Sequence, residues 1–583
     1  MKLVGLKLAY IKSFKTLDWN IARTKVIIGQ NDHGKSSILK ILNFVLNEIT
    51  DYHLDQGFLE PALAEKLIPA FSTSARARRI TLIVQEKSKY KELYIDIGRN
   101  YSIKVHDKIT RGAKTTPAGK KLFTKIRSKN RFELVPAIRD VSSEIYKQLF
   151  STTLQQHGLS KLKPKAAGGT QREYRELLAI RNSIDEIIQP YVHKRLLPKL
   201  SDEFGFTPQH ELLLTFNKDT EAIAEWIQSN LQLGFKLGKE AEEYISIDEA
   251  GTGIQSALLL ALIRLKNRSE ADKNVHFFLA IEEPETFLHP QKQKELYSSI
   301  KGLESDNLTI IITTHSPYIV SESKFSSLGI VRKDDKFSNL HTVKSVPPKD
   351  MDIFDSYSGE VNSQLFFADK VILVEGESDK RVIETILHRK FGAKSFRYTV
   401  ISAAGNRNFS PYLKMINCWK ELKIPHLVVT DFDSLTAGSD RAMNTGAKAA
   451  GYLLNAEQLL NQNVDDAIQK DEGEYRKIAI QAANFYARSG LEVFIWTCDL
   501  EYALISDSKI DPIVRELSAA NNSSYSGYTC AQLRTLIGSK GIPLNSGSDA
   551  LKKPYIHQKL SWHLDLDDTE SDVYRLIQAI NKL

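Results

Sequence analysis

The sequence predicts an α/β protein built from more than one domain. Short apolar strands repeatedly end in a glycine turn or a carboxylate and run into a helix, as at Val371–Val374 before Glu375-Gly376 and at Lys25–Ile28 before Gly29. The chain has 583 residues, too many for one core, which suggests two to four domains. Carboxylates at the carboxyl ends of parallel strands sit where open α/β sheets place their chemistry.

In the first half, alternating strands are expected at Leu3–Tyr10 and Lys25–Ile28, with Phe14 and Trp19 between them. The second strand leads into Gly29-Gln30-Asn31-Asp32-His33-Gly34-Lys35-Ser36, a complete GxxxxGK[ST] pattern, and Ser37–Val45 reads as a helix. Backbone N–H groups of such a loop, from Asn31 to Ser37, cradle phosphates at a helix N-terminus. Lys35 would neutralise the β/γ oxygens of ATP and the Ser36 hydroxyl would hold Mg²⁺. A second strand, His276–Ile281, ends in Glu282-Glu283-Pro284-Glu285. Glu282 fits the carboxylate that holds Mg²⁺, and Glu283 the base that polarises the attacking water. A third, Leu308–Thr313, ends in Thr314-His315-Ser316-Pro317, where His315 is placed to meet a γ-phosphate. Glu249-Ala250-Gly251-Thr252-Gly253-Ile254-Gln255 precedes an apolar helix, Ser256–Leu265, and makes a second anion-binding helix start.

Residues 141–235 look different: Tyr174–Leu200 carries Leu177, Leu178, Ile180, Ile184, Ile187 and Ile188 at helical spacing, after a lysine- and glycine-containing stretch at 161–170. A helical insertion for dimerisation or DNA contact is the expectation, with a solvated loop as the alternative for the lysines. There is no sustained heptad.

Around Pro347-Pro348-Lys349-Asp350-Met351 the chain turns polar, a candidate linker. Beyond it the strand Val371–Val374 ends in Glu375-Gly376-x-x-Asp379, with Val382, Ile383, Ile386 and Leu387 at helical spacing after it. The strand His426–Thr430 ends in Asp431-Phe432-Asp433, whose carboxylates share a face if the strand persists. A lone DxD more often caps a turn. Glu375, Asp379, Asp431 and Asp433 gathered at neighbouring strand ends would form a hard-oxygen cluster that needs Mg²⁺ or Mn²⁺ to stay ionised.

Composition is ordinary for a globular chain, with 42% hydrophobic and 26% charged residues; a net charge of +8 hints at a polyanionic partner. Cys418, Cys498 and Cys530 form no CxxC pair, which argues against disulfides and zinc and for a reducing compartment. Met1–Tyr10 lacks the apolar segment of a signal peptide, and no run approaches the ~18 apolar residues of a membrane span. A cytoplasmic location without a membrane partner is expected.

The motifs of the first half resemble the ABC-type ATPases of the SMC kind, which implies ATP held between two heads and hence a homodimer or higher homo-oligomer. Glu375-Gly376-x-x-Asp379 followed by Asp431-x-Asp433 resembles the Toprim domain of topoisomerases, primases and certain nucleases. Together they resemble the OLD (overcoming lysogenization defect) ATP-dependent nucleases, including the Gabija and retron-linked kinds. The likeness extends to Val135-Pro136-Ala137-Ile138-Arg139-Asp140 and Leu288-His289-Pro290. It implies an ABC/SMC-like P-loop head with a helical insertion, followed by a Rossmann-like parallel sheet. The corresponding bounds are 1–140 and 236–346 for the lobes of the head, 141–235 for the insertion and 347–583 for the Toprim part.

The same resemblance implies metal ligands at Glu375, Asp379, Asp431 and Asp433. In Cys498-Asp499-Leu500-Glu501 it favours Glu501, with Asp499 close behind, and as a late catalytic lysine it favours Lys553 over Lys552. His557 stands where the family usually has a small residue. The implied reaction is ATP-regulated, metal-dependent hydrolysis of DNA phosphodiesters in antiphage defence, beside a helicase or a reverse transcriptase with its small DNA. Rival readings are a topoisomerase or primase relative, a non-cleaving ATP-dependent clamp or sensor, and an RNA-cleaving effector.

Overall fold

The computed structural model describes residues 1–136 apart from 68–77, 99 and 109–114; residues 198, 210–216, 231–237 and 245–246; residues 275–505 apart from 287, 303–304, 306, 335, 358, 360–361, 406–407, 440 and 463; and residues 529, 531–535, 542–543, 550–551 and 553–583. It falls into two compact units, Met1–Thr342 and Val343–Leu583.

The first unit is organised by a mixed sheet of eleven strands. Its members are β1 (Lys2–Ile11), β2 (Phe14–Asn20), β3 (Val26–Gly29), β4 (Arg78–Glu86), β5 (Lys89–Ile97), β6 (Ile103–His106), β7 (Asn130–Val135), β11 (His276–Glu282), β12 (Leu308–Thr314), β13 (Leu328–Asp334) and β14 (Phe337–Thr342). Strands β8 (His210–Phe216), β9 (Leu231–Leu237) and β10 (Ile245–Ser246) form a separate antiparallel sheet.

The large sheet has two characters. Strands β6, β5, β4, β1 and β2 pair antiparallel, and β2 alternates buried and exposed residues as a strand with one dry face does. Strands β13, β3, β12, β11 and β7 pair parallel. Every residue of β12 is buried, as both faces of a parallel strand are covered. Phe14 and Trp19, read as lying between strands, belong to β2; both are fully buried, and the Trp19 indole donates to Thr24 O at 3.0 Å.

The expected helical insertion at 141–235 is described only at residue 198 and in β8 and β9, which are paired strands and not helices. The helical stretch Tyr174–Leu200 otherwise lies outside the described residues, as do Glu249–Gln255, Ser256–Leu265 and residues 137–140.

The second unit contains a four-stranded parallel sheet in the order β16 (Tyr398–Ser402), β15 (Lys370–Val374), β17 (His426–Thr430), β18 (Val493–Ile495). The helix Glu377–Phe391 follows β15 and buries Val382, Ile383, Ile386 and Leu387 against the sheet in one core with Ile372, Val374 and Val429. Residues 347–351, expected as a linker, instead begin the helix Pro348–Tyr357. Proline at a first helical position is already shaped for a helix, so the same residue that breaks a chain internally starts one here.

Candidate active sites

At the end of β3 the chain passes through two places that admit only glycine. A Cβ on Gly29 would stand 2.4 Å from Val331 O of β13. Gly34 has φ +103°, and its Cβ would stand 2.7 Å from the Ser13 hydroxyl and 2.8 Å from that of Ser338. The loop between them leads into the helix Lys35–Asn43. Ser36 and Ser37 are half-buried in its first turn, and Asn31 is exposed at the loop's crest.

Lys35 is buried, and its ammonium donates to Gly29 O at 3.1 Å and Gln30 O at 3.0 Å. It also lies 2.7 Å from His315 Nε2 and 4.0 Å from Glu283 Oε1. Burial lowers its pKa to about 8, against the opposing pull of Glu283, Glu285 and Asp32.

The sheet order explains how residues so far apart in sequence meet. Strand β12 lies between β3 and β11, so the carboxyl ends of all three emerge on one edge. Glu282 closes β11 and is buried. Glu283 turns out of the strand with φ +43°, and its N–H donates to Thr313 O. His315 follows β12 and brings Nε2 to 2.9 Å from Glu283 Oε1. With the ring proton on Nε2, His315 donates to Glu283, and Lys35 retains the two loop carbonyls as acceptors.

Glu285 belongs to the same motif, and the sequence pattern assigns it no role. Its Oε1 accepts from Thr314 Oγ1 and from the His315 N–H, each at 2.7 Å. Buried, with its carboxyl pKa pushed up by that burial, it fixes the backbone that carries His315. The signal available was a third acid in Glu-Glu-Pro-Glu.

In the second unit, β15 and β17 are neighbours with Val374 opposite Val429, so Glu375 emerges beside Thr430 and Asp431. Glu375 Oε1 accepts from the Thr430 hydroxyl and, at 3.0 Å, from the Asp431 N–H. Its pKa rises to about 7, first through burial, with Asp433 and Asp379 adding like charge. Asp379 is buried in the first helical turn, where Oδ2 accepts from the Gly376 N–H at 3.3 Å. Asp431 has one buried oxygen, Oδ1, that accepts no hydrogen bond among the described residues. Its pKa is driven well above the carboxylate range by burial, then by Asp379, Glu375, Asp499 and Asp433.

The two aspartates of the DxD do not share a strand face. Strand β17 stops at Thr430, and Phe432–Leu435 forms a 3₁₀ turn that buries Phe432 and leaves Asp433 exposed. Burying the aromatic ring ends the strand one residue before the alternation could act. Asp433 still lies within electrostatic reach of both Glu375 and Asp431.

The later acids divide. Asp499 caps the helix Leu500–Leu504, its Oδ1 accepting from the Tyr502 N–H at 2.8 Å, and its charge reaches Asp431. Glu501 is buried with Oε1 3.5 Å from His557 Nε2. Lys553 opens the helix Lys553–Ser561; its side chain and all of Lys552 lie outside the described residues.

Among the described residues no three Asp, Glu, His or Cys side chains stand close enough to hold a metal ion. Glu375, Asp379, Asp431 and Asp433 lie close enough for Asp379 and Asp433 to raise the pKa values of both Glu375 and Asp431. The chemistry of the donor set nevertheless fits a hard divalent ion: oxygen ligands only, mutually raised pKa values, and a buried acceptor without a donor at Asp431.

Residues 68–320 match the AAA ATPase domain family, and residues 366–433 match the family described as overcoming lysogenization defect protein-like, TOPRIM domain. The chain joins an AAA ATPase domain to an OLD-like TOPRIM domain. The TOPRIM match includes Glu375, Asp379, Asp431 and Asp433, while Glu501 and Lys553 lie beyond it; the loop at 29–36 precedes the ATPase match.

A protein named OLD nuclease from Thermus scotoductus is 26% identical over 238 residues, 39% of this chain and 43% of that relative. The chain thus spans less than half of that relative's length. One named Endonuclease GajA from Bacillus cereus is 22% identical over 502 residues, 80% of each chain. Among solved structures, an Smc head bound to the C-winged helix domain of ScpA aligns at 13% identity with a TM-score of 0.40, covering 60% of this chain and 100% of that one. No helix among the described residues is long and apolar enough to cross a membrane.

Proposed function

We propose that this protein is a divalent-metal-dependent DNA endonuclease whose TOPRIM domain cuts phosphodiesters and whose AAA ATPase domain governs that cutting through ATP. The observation that carries the reading is the crowding of Asp379, Asp431 and Asp433 around Glu375 at the adjoining ends of β15 and β17. Asp379 and Asp433 add like charge to both Glu375 and Asp431, a load that Mg²⁺ or Mn²⁺ would relieve. The names of the relatives, nuclease and endonuclease, agree with it.

Glu375, Asp379, Asp431 and Asp433 would hold the metal, with Glu501 or Asp499 completing the set. When bound, the metal supplies positive charge at the phosphodiester and lowers the pKa of an attacking water. Thr430 and the Asp431 N–H orient Glu375, leaving its second oxygen for the site. Lys553 would add a positive charge against the negative charge that develops on the phosphate.

In the ATPase domain the phosphates of ATP would draw Lys35 from the carbonyls of Gly29 and Gln30. Glu283 would accept a proton from the attacking water, and His315 would hold Glu283 in place and meet the γ-phosphate. Ser36 and Glu282 are the residues that would hold Mg²⁺ there. Pairing of two such domains around ATP gives a homodimer or higher homo-oligomer. An antiphage role, in the cytoplasm and beside a helicase or a reverse transcriptase with its small DNA, follows from the same family reading.

The test is cleavage of supercoiled and linear DNA, and of an RNA of equal length, with Mg²⁺ or Mn²⁺, with and without ATP. Metal-dependent cutting of DNA that Asp431→Ala abolishes is expected. No cutting by a protein that binds metal and hydrolyses ATP would overturn the nuclease reading and favour a clamp or sensor.

A further inference from the structure

Glu285 is one side chain that ties the loop after β11 to the loop after β12; Gln293 is another. It is half-buried, the fourth residue of the helix Pro290–Lys301 that follows the first of these loops. Its Nε2 donates to Leu288 O at 2.8 Å, and its Oε1 accepts from the Ser316 hydroxyl at 2.5 Å. Leu288 lies near the end of the loop that begins at Glu283, and Ser316 is the residue after His315.

Both ends of this amide are determined. Ser316 caps the helix Pro317–Glu322, its hydroxyl accepting from the N–H groups of Tyr318 at 3.1 Å and Ile319 at 3.2 Å. A hydroxyl has one proton and two acceptor positions, so those two bonds leave Ser316 only its proton to give. Gln293 therefore presents its oxygen to Ser316, which turns its NH₂ toward the Leu288 carbonyl. An ionised carboxylate could not donate to Leu288, and an ammonium could not accept from Ser316. Only an amide serves both partners.

The tie reaches the two residues placed for hydrolysis. Glu283 has φ +43°, a left-handed conformation that a residue other than glycine keeps where its surroundings over-determine it. Its O accepts from the Thr286 N–H at 3.1 Å and the Thr286 hydroxyl at 2.8 Å, and the Leu288 N–H donates to Glu285 O at 2.9 Å. Gln293 holds the far end of these successive turns through Leu288. In the other loop the His315 N–H donates to Glu285, and the Ser316 N–H donates to Thr314 Oγ1 at 2.9 Å. The planar peptide on each side of His315 is thus anchored, and Gln293 adds a hold on the Ser316 side chain. We infer, on the reading of Glu283 as the base and His315 as its support, that Gln293 is a positioning residue for ATP hydrolysis. It acts through Leu288 on Glu283 and through Ser316 on His315, keeping Glu283 Oε1 and His315 Nε2 at 2.9 Å.

The experiment compares the full chain with Gln293→Ala and Gln293→Met, each alone and combined with Glu283→Gln. It measures steady-state hydrolysis of ATP and the Kd of a non-hydrolysable ATP analogue. Methionine nearly conserves the volume of glutamine without either hydrogen bond, so a loss common to both variants is not a cavity effect. Each should lower kcat about 10–100-fold, the scale of a misplaced catalytic group, and leave the Kd within about twofold. In the Glu283→Gln background the same replacements should add less than about twofold, because the base that they position is gone. Unchanged kcat in both variants, a loss of affinity as large as that of kcat, or an equal loss with and without Glu283 overturns the inference. Undiminished hydrolysis by Glu283→Gln alone would instead overturn the reading of Glu283 as the base, and the inference with it.

Discussion

His315 Nε2 lies 2.9 Å from Glu283 Oε1 and 2.7 Å from Lys35 Nζ, so one ring nitrogen joins the ends of β11 and β12 to the P-loop lysine. That contact makes His315 a hinge between the proposed base and the phosphate-binding cation. Glu283→Gln should retain ATP binding and lower hydrolysis by about 10²–10⁴-fold, the scale of losing a general base. His315→Ala should cost up to roughly 10²-fold through misplacement of Glu283. Phosphate release and ATP affinity, measured on the same preparations, distinguish the two effects from failure to bind.

Gly34→Ala should abolish ATP binding and destabilise the first unit by about 1–3 kcal/mol, because φ +103° is strained for alanine and its Cβ would meet two hydroxyls. A nucleotide titration and a thermal scan would read both effects.

The Glu375 carboxyl, raised to about 7 by burial first, gives the metal-free protein a defined pH dependence. Between its unfolded value of about 4.5 and about 7 the folded state binds more protons than the unfolded one. This contribution is therefore fully present below about pH 4.5 and is lost as pH rises through about 7, on the order of 3 kcal/mol in all. Mn²⁺ affinity should move the other way and strengthen as pH rises through 7, since metal and proton compete for the same oxygens. Glu375→Gln should flatten both profiles in chemical-denaturation and metal-binding titrations.

Glu501 and Asp499 make different predictions. If Glu501 is the metal ligand, His557→Ala removes the ring 3.5 Å from its carboxylate and should weaken Mn²⁺ binding by about 10–100-fold, while His557→Gln restores part of it. If Asp499 is the ligand, Asp499→Asn has that effect and His557→Ala leaves affinity unchanged. Mn²⁺ titration followed by paramagnetic resonance separates the cases without relying on cleavage.

A buried lock holds the same region in place. Asp572 accepts from the Thr497 N–H at 2.7 Å and from the Thr497 hydroxyl at 2.8 Å, and it pairs with Arg575. Asp572→Ala leaves Arg575 without its buried partner and should cost about 3–5 kcal/mol in unfolding of the Val343–Leu583 unit. Thr497→Val should cost less, since it removes the two hydrogen bonds of the hydroxyl, one given to Asp572 and one accepted from Arg575, and no charge.

The sequence by itself determined the local grammar of both sites. An apolar strand followed by Gly29 and Gly34, by Glu282-Glu283 or by Glu375-Gly376 announces a strand end with chemistry on it, because strand period, glycine turns and helix starts are short-range properties. It did not determine where the DxD strand stops. That depended on burying Phe432, a tertiary matter that moved Asp433 into a turn. Nor could it reveal that Glu285 pins His315 or that Thr430 orients Glu375. These relationships come from which strands lie side by side, β12 between β3 and β11 and β15 beside β17. Strand order is fixed by packing between segments tens to hundreds of residues apart, and no local pattern carries that information.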